Sequence, residues 1–136
     1  MKPIQRVPIL LIACITLALF SGCVEIRPAG SVLTSQSTYL RGKRTPVAVF
    51  SSDEIIRYYV DVTWDDVKKE AGNQKVTWNW YKEDKLVSTN EKYFYVKKAP
   101  FEIFTTRPAS ALGVGHFKVE TLIADKVMAS TEFDIK

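Results

Sequence analysis

The residues that could support acid–base chemistry are few, because the chain has a single histidine, His116. Ser110 precedes it closely and several aspartates follow, so a Ser-His-Asp set for hydrolysis can be considered. Ser110 lacks the glycine pattern of a nucleophile elbow, which presents a catalytic serine on a sharp turn. We therefore expect an exposed or strand-edge histidine and no catalytic residues, with a small hydrolase as the remote alternative.

Metal chemistry has equally little support in the sequence. A zinc site needs several cysteine or histidine ligands, and the single histidine cannot supply them. The dipeptide Asp65-Asp66, joined by Asp61 or Glu70, could bind calcium through carboxylate oxygens, but the spacing matches no calcium-binding loop. No glycine loop that would cradle a phosphate is found. The sequence predicts a solvated acidic loop, with no metal and no cofactor.

Tyrosines are the best candidates for a binding surface. Those that fall on the outer faces of predicted strands could form a rigid contact surface for peptides or sugars. The alternative is that they cover a sheet face on which lysine stems pack. The candidates are Tyr59, Tyr81, Tyr93 and Tyr95.

Residues 1–22 have the three-part pattern of a secretory signal peptide. Lys2 and Arg6 supply positive charge, and an apolar core extends from Val7 to Phe20. This core of about 14 residues is short for a membrane-spanning helix, which needs about 20. We therefore expect cleavage at its end, where the sequence LFSGC closes the segment at Cys23.

The LFSGC sequence resembles a bacterial lipobox, although Phe20 stands where that family usually has leucine. The resemblance implies that Cys23 receives a diacylglyceryl thioether, becomes the new N-terminus and is acylated on its amine. Val24 follows where an aspartate would retain a proteobacterial lipoprotein in the inner membrane, which implies the periplasmic face of the outer membrane. The alternative is an ordinary signal peptide whose cleavage leaves a free or disulfide-bonded cysteine.

Charge and length limit the rest of the chain. Loss of Lys2 and Arg6 with the signal peptide lowers the formal net charge from +4 to about +2, which gives no reason to expect nucleic-acid binding. The remaining length suits one domain. Residues 23–45 are rich in serine, threonine, glycine and arginine and predict a flexible tether. Its basic cluster of Arg41, Lys43 and Arg44 is either solvated or in contact with anionic headgroups or a partner.

Residues 46–136 alternate apolar and polar side chains with the period of β-strands. The alternation places Trp64, Trp78 and Trp80 in the core of an antiparallel β-sandwich of about seven strands. Pro108 to Gly115 is expected to be an irregular loop. The predicted strands are 47–51, 55–64, 75–82, 86–98, 101–106, 116–124 and 127–135.

The last two strands predict a hairpin that turns at Asp125-Lys126, with Val127, Ala129, Phe133 and Ile135 facing inward. The sequence WNWYK, followed later by GVGHFKVETLIADKVMASTEFDI, resembles a small immunoglobulin-like or fibronectin-like module over residues 46–136. The resemblance implies the fold and leaves the function open.

These features predict a non-enzymatic lipoprotein whose domain binds another protein of the cell envelope. Anchoring through Cys23 would raise the local concentration of the domain near membrane-bound partners. The alternative is an inhibitor of a lytic enzyme, or an exclusion factor, that presents residues 108–116 as a protruding loop.

Overall fold

The computed structural model describes residues 24–36 and 44–136, and Cys23 and the signal segment 1–22 lie outside them. Within the described ranges the chain forms two β-sheets and one helical turn. The elements are β1 (Arg27–Ser35), β2 (Val49–Phe50), β3 (Ile55–Thr63), β4 (Gly72–Lys82), β5 (Lys85–Val96), β6 (Phe101–Pro108), α1 (Ala109–Leu112), β7 (Gly115–Ile123) and β8 (Lys126–Ile135). A three-stranded sheet, β1-β3-β6, packs against a five-stranded sheet, β2-β8-β7-β4-β5. The predicted all-β sandwich is confirmed.

The core lies between the two sheets and follows the alternation seen in the sequence. Alternate residues of β3 and β4 are almost completely buried, and the three predicted core tryptophans are confirmed at 1% exposure for Trp64, 3% for Trp78 and 1% for Trp80. Phe133 stacks on Phe117 with ring centroids 5.5 Å apart. It also meets the ring of Trp80 edge-on at 6.2 Å. These large rings pack with buried isoleucine and valine side chains in the core between the sheets.

Strand β1 corrects the predicted tether. It pairs antiparallel with β3, from Arg27 opposite Thr63 to Ser35 opposite Ile56. Leu33 is 4% exposed within the core, and Ile26, just before the strand, is 7% exposed. Because residues 24–36 pair their backbone and bury side chains in the sandwich, the domain begins well before residue 46. Residues 37–43 of the predicted tether lie outside the described residues.

The first predicted strand, 47–51, is reduced to the two residues of β2, which pair parallel with the end of β8. The two hairpins of the larger sheet instead follow the prediction closely. Ala124 and Asp125 have φ of 47° and 66°, and Glu83 and Asp84 have φ of 47° and 64°. Two successive positive φ values are typical of the type I′ turn, whose twist matches that of the strands it joins. The C-terminal turn therefore lies one residue earlier than predicted.

A β-bulge changes the phase of β8. The pairing with β7 shifts between Thr121 and Leu122, so Thr121 lies opposite Ala129 and Leu122 opposite Val127. The skipped residue, Met128, is 5% exposed, whereas Val127 is 48% exposed. The predicted inward position of Val127 is therefore wrong, because an extra residue in one strand reverses the side-chain alternation beyond it.

The segment predicted as an irregular loop contains the short helix α1. The backbone N–H of Ala109 donates to the carbonyl of Glu54 at 2.9 Å, and Ala109 is fully buried. Leu112 packs against the core. These contacts dock the segment on the sandwich and correct the expectation of a protruding loop at 108–116. Among residues 24–36 and 44–136, no helix has the length and apolar character needed to cross a membrane.

Candidate binding groove

Two of the four candidate tyrosines lie exposed at the end of β5. Tyr93 is 70% exposed and Tyr95 is 55% exposed, both on the outer face of the larger sheet. The Tyr95 hydroxyl donates a hydrogen bond to the carboxylate of Glu70, and this hydrogen bond raises the pKa of the tyrosine. The ring of Tyr95 is thereby fixed, whereas that of Tyr93 faces solvent. These two residues remain candidates for a contact surface.

The other two candidates do not join them. Tyr59 belongs to the smaller sheet and is 5% exposed, because the guanidinium of Arg44 lies 3.7 Å from its ring centroid and the Phe104 ring lies at 5.6 Å. Its predicted exposure is wrong. Tyr81 lies at the far end of β4, half-buried, with the ammonium of Lys118 4.5 Å from its ring centroid. A single row of four exposed tyrosines is therefore not formed.

Arg44, predicted to be part of a basic cluster, is engaged within the domain. Besides covering Tyr59, its guanidinium forms an ion pair with Glu102 in which both carboxylate oxygens accept hydrogen bonds, one of them at 2.8 Å. A bidentate pair of this kind fixes the geometry of both side chains. Arg41 and Lys43 lie outside the described residues.

The acidic residues considered for calcium have separate partners. Asp65 pairs with Arg27, and Asp66 lies 3.9 Å from the ammonium of Lys69. Burial raises the pKa of Asp61, and the neighbouring Glu102 adds to this effect. Among the described residues, no three histidine, aspartate or glutamate side chains are grouped as metal ligands would be.

His116 lies at the start of β7 in an acidic environment. Its Nδ1 is 2.8 Å from Asp134 Oδ1, and its Nε2 is 3.5 Å from Glu132 Oε1. The hydrogen bond to Asp134 is the main cause of a raised pKa of His116, and Glu132 adds to it. Both ring nitrogens of His116 face carboxylates, so neither is directed at a nucleophilic side chain. The geometry is that of an ion-pair cluster on the surface.

A groove of about 320 Å³ opens between β5 and β6, the outer strands of the two sheets. Its lining combines three aromatic rings with amide, hydroxyl and charged groups, a mixture that is typical of binding sites. Phe104 is 51% exposed and presents its ring at the rim. The lining residues are Trp78, Asn90, Glu91, Lys92, Phe94, Phe104, Thr105 and Thr106.

The groove exists because the two sheets differ in width. β5 is the edge of the five-stranded sheet and extends beyond the three-stranded sheet below it. Its inward-facing positions opposite Trp80 and Trp78 are Ser88 and Asn90, so polar groups stand where a covered strand would have apolar ones. Arg107 of β6 reaches across and donates to Ser88 Oγ at 2.7 Å. This contact closes one end of the gap between the edges.

The groove was not predicted from the sequence. An indication was present in β5, where Ser88, Asn90 and Lys92 lie on the same face of the strand as Phe94 and the buried Val96. A strand whose inward face changes from apolar to polar part-way along indicates an edge that is only partly covered. Trp78, correctly placed in the core, also lines the groove.

Comparison with known proteins bears on the fold alone. No protein-family model matches the sequence, and no curated protein matches it. An immunoglobulin-like protein from Pseudomonas aeruginosa has a similar structure, with a TM-score of 0.55 and 8% sequence identity over 82% of this chain and 97% of that one. The fold is immunoglobulin-like. This confirms the fold class that the terminal hairpin and the WNWYK strand suggested.

A second similar structure is the alkylpurine DNA glycosylase AlkC of Pseudomonas fluorescens, bound to DNA containing an abasic-site analogue. The TM-score is 0.54 and the identity is 14%, over 88% of this chain and 32% of the glycosylase. The chain thus spans about a third of that protein. At this identity the likeness shows a similar fold over the matched part and nothing of the glycosylase's activity.

Proposed function

We propose that this protein is a non-catalytic binding module, held at a membrane by acylation of Cys23, that engages another protein of the cell envelope. The observation that carries the proposal is the groove between β5 and β6, which presents aromatic, amide and cationic groups on an otherwise well-packed domain. Concave sites with an apolar lining and a few polar groups are where proteins bind ligands. The exposed Tyr93 and Tyr95 offer a second contact face on the same strand.

Anchoring rests on the lipobox-like sequence that ends at Cys23. Two or more acyl chains hold a protein firmly, since each buried methylene contributes about 0.8 kcal/mol. Val24 after the cysteine favours the periplasmic face of the outer membrane. Confinement to the membrane surface raises the effective concentration of the domain near its partner, so a weak interface can be occupied.

The short connection to the domain distinguishes this proposal from a module on a long tether. Ile26 is already part of the core, and an extended chain from Cys23 to Ile26 spans about 10 Å. An acylated Cys23 would therefore hold the sandwich directly against the headgroups. Partners would be membrane proteins, or the membrane-proximal parts of larger assemblies.

Capture of partners from detergent-solubilised envelopes by the full-length protein tests this function. Thr106→Trp puts a bulky neutral side chain on a residue that lines the groove, and Thr89→Trp makes the same change on the outer face of β5, away from the groove. We expect Thr106→Trp to lose a partner that the Thr89→Trp protein retains. If both variants retain every captured protein, the groove is not the binding site.

Two further variants test the remaining features. Tyr93→Ala combined with Tyr95→Ala should weaken capture without unfolding if the outer face contributes, and thermal melting separates the two effects. Cys23→Ser should abolish both the incorporation of labelled fatty acid and the cleavage of the signal segment. A Cys23→Ser protein that still incorporates the fatty acid would contradict the anchor.

A further inference from the structure

The indole of Trp78, a residue that lines the groove, has a buried hydrogen-bond donor with no partner in the described part of the chain. Trp78 is 3% exposed and lines the groove, yet its Nε1–H has no acceptor among the described residues. The indole of Trp64, by contrast, donates to the carbonyl of Lys69 at 2.8 Å. Leaving a buried donor unpaired costs about 1–3 kcal/mol. A ligand that brings an acceptor to Trp78 would recover this cost.

The charges at the groove favour a negatively charged ligand. Lys92 lines it with its ammonium 5.1 Å from the centroid of Phe94. The carboxylate of Glu91, the acidic residue of the lining, lies 4.0 Å from the ammonium of Lys75, which is also 3.3 Å from Asp125. Arg107 adds a second positive charge at the closed end, where it donates to Ser88. Complementary charge would guide an acidic segment to this site.

The edges of the groove favour an extended peptide over other acidic ligands. β5 and β6 are the outer strands of their sheets, and β5 extends over 12 residues. An outer strand presents backbone donors and acceptors on its open side, and an extended peptide can pair with them as an added strand. The lysines of β5, Lys85 and Lys92, give this edge positive charges that an acidic segment of a partner would complement.

We propose that the groove binds an extended acidic peptide segment of the partner protein, which pairs with β5 and places an oxygen acceptor against the Trp78 Nε1–H. This inference rests on the proposed binding function and names the chemistry of its ligand. An acidic residue of the peptide would lie between Lys92 and Arg107, and the ring of Phe104 would cover an adjacent apolar side chain.

The probe is a synthetic peptide of twelve residues that alternates threonine and glutamate, with a threonine–lysine peptide and an oligogalacturonate as comparisons. The full-length protein in detergent micelles is observed by heteronuclear NMR. Trp78→Phe assigns the Trp78 indole signal by its disappearance. We expect the glutamate peptide to shift that signal downfield, because the N–H gains an acceptor, and to slow amide exchange along β5.

Two matched charge reversals test the specificity of the effect. Lys92→Glu should weaken binding of the glutamate peptide by about tenfold or more. Lys68→Glu makes the same change in an exposed turn outside the groove and should alter affinity less than about twofold. Equal weakening by the two reversals would show attraction to net charge alone and would overturn the proposal.

The remaining outcomes separate the ligand class from the function. Binding of the oligogalacturonate, but not of the peptide, at Trp78 would replace a peptide ligand by an acidic sugar and overturn the proposal. A protein captured through the groove, as judged by its loss in Thr106→Trp, with no peptide binding would likewise overturn the ligand class while preserving the binding function. If neither partner capture nor peptide binding is observed, both the proposed binding function and the proposed peptide ligand are rejected.

Discussion

Thr121 places a hydroxyl in the interior, beside the bulge between β7 and β8. The residue is fully buried, and its Oγ1 has no hydrogen-bond partner among the described residues. Valine has nearly the same shape without the polar group, so Thr121→Val should raise the free energy of unfolding by about 1 kcal/mol. Urea denaturation followed by tryptophan fluorescence measures the change.

The matched control is Thr34→Val, because the Thr34 hydroxyl donates to the carbonyl of Thr45 at 2.7 Å. Its removal should lower the free energy of unfolding by about 1–2 kcal/mol. Changes of opposite sign in the free energy of unfolding would show that the effect of Thr→Val depends on whether the buried hydroxyl has a hydrogen-bond partner, and not on its burial alone. Destabilisation by Thr121→Val equal to that of the control would contradict this account.

The single histidine provides a second prediction for an individual residue. Its hydrogen bond to Asp134 raises the pKa of His116 above the ordinary value of 6.5. A group with a raised pKa in the folded state stabilises the protein fully below its unfolded pKa, and this stabilisation is lost as pH rises through the folded pKa. Stability should therefore fall as the pH rises above about 6.5, by an amount that His116→Gln abolishes.

The ring protons of His116 can be followed directly by NMR, since no other histidine overlaps them. We expect a titration midpoint above 6.5, and Asp134→Asn should move it downward. An unchanged midpoint in Asp134→Asn would assign the shift to Glu132 instead.

At the scale of single elements, strand β1 tests the corrected domain boundary. Leu33→Ala removes a buried side chain opposite Tyr58 and should cost about 2–4 kcal/mol of unfolding free energy. Ser31→Ala, at an exposed position of the same strand, should change stability by less than about 0.5 kcal/mol. Chemical denaturation of both variants distinguishes a strand from a tether, for which neither substitution would matter.

The elements also show what the sequence could predict. β3 and β4 were predicted correctly because they lie in the middle of the sandwich, where every second side chain must be apolar. β1 was missed because its first half is exposed on both faces, and its buried end reads Leu33, Thr34 and Ser35, with no alternation to detect. Polar side chains buried through hydrogen bonds give no hydrophobic period.

The groove was hidden for a related reason. The sequence of β5 suggests that Ser88, Asn90 and Lys92 lie on a solvent-exposed outer face. In the structure they lie on the inward face of β5, which remains open because the five-stranded sheet is wider than the three-stranded sheet. Likewise, the burial of Tyr59 depends on Arg44, which is distant in sequence and covers the ring. Contacts between sheets and connecting segments of this kind are set by tertiary structure, so strand periodicity cannot reveal them.

At the scale of the whole molecule, the sandwich has two distinct ends. The backbone N–H of Ala124 donates to Lys75, which places the Ala124-Asp125 turn at the end where residues 24–26 enter the domain. The backbone N–H of Glu83 donates to the carbonyl of His116 at the opposite end. Lys75 and Glu83 are eight residues apart along the chain, which separates the two ends by about 27 Å at 3.4 Å per residue. If Cys23 is acylated, the end with the Ala124-Asp125 turn must face the bilayer.

Fluorescent labels at matched positions measure this orientation. Lys85 and Lys126 each follow a two-residue turn, are exposed and stand at opposite ends of the domain. In the acylated protein Cys23 is blocked, so a cysteine introduced at either position is the one that reacts with a dye. We expect energy transfer to acceptor-labelled lipid headgroups to be stronger from Lys126→Cys than from Lys85→Cys, because about 10 Å of chain separates Cys23 from the core.

Equal transfer from the two positions would mean that the domain reorients freely, as it would on a long tether. An insertion of flexible glycine–serine residues after Val24 should produce that equality deliberately, since the reach of such a linker grows with the square root of its length. The same insertion should leave the thermal stability unchanged and lower partner capture in membranes but not in detergent. That combination would show that the short connection, and not the fold alone, presents the groove to a membrane-bound partner.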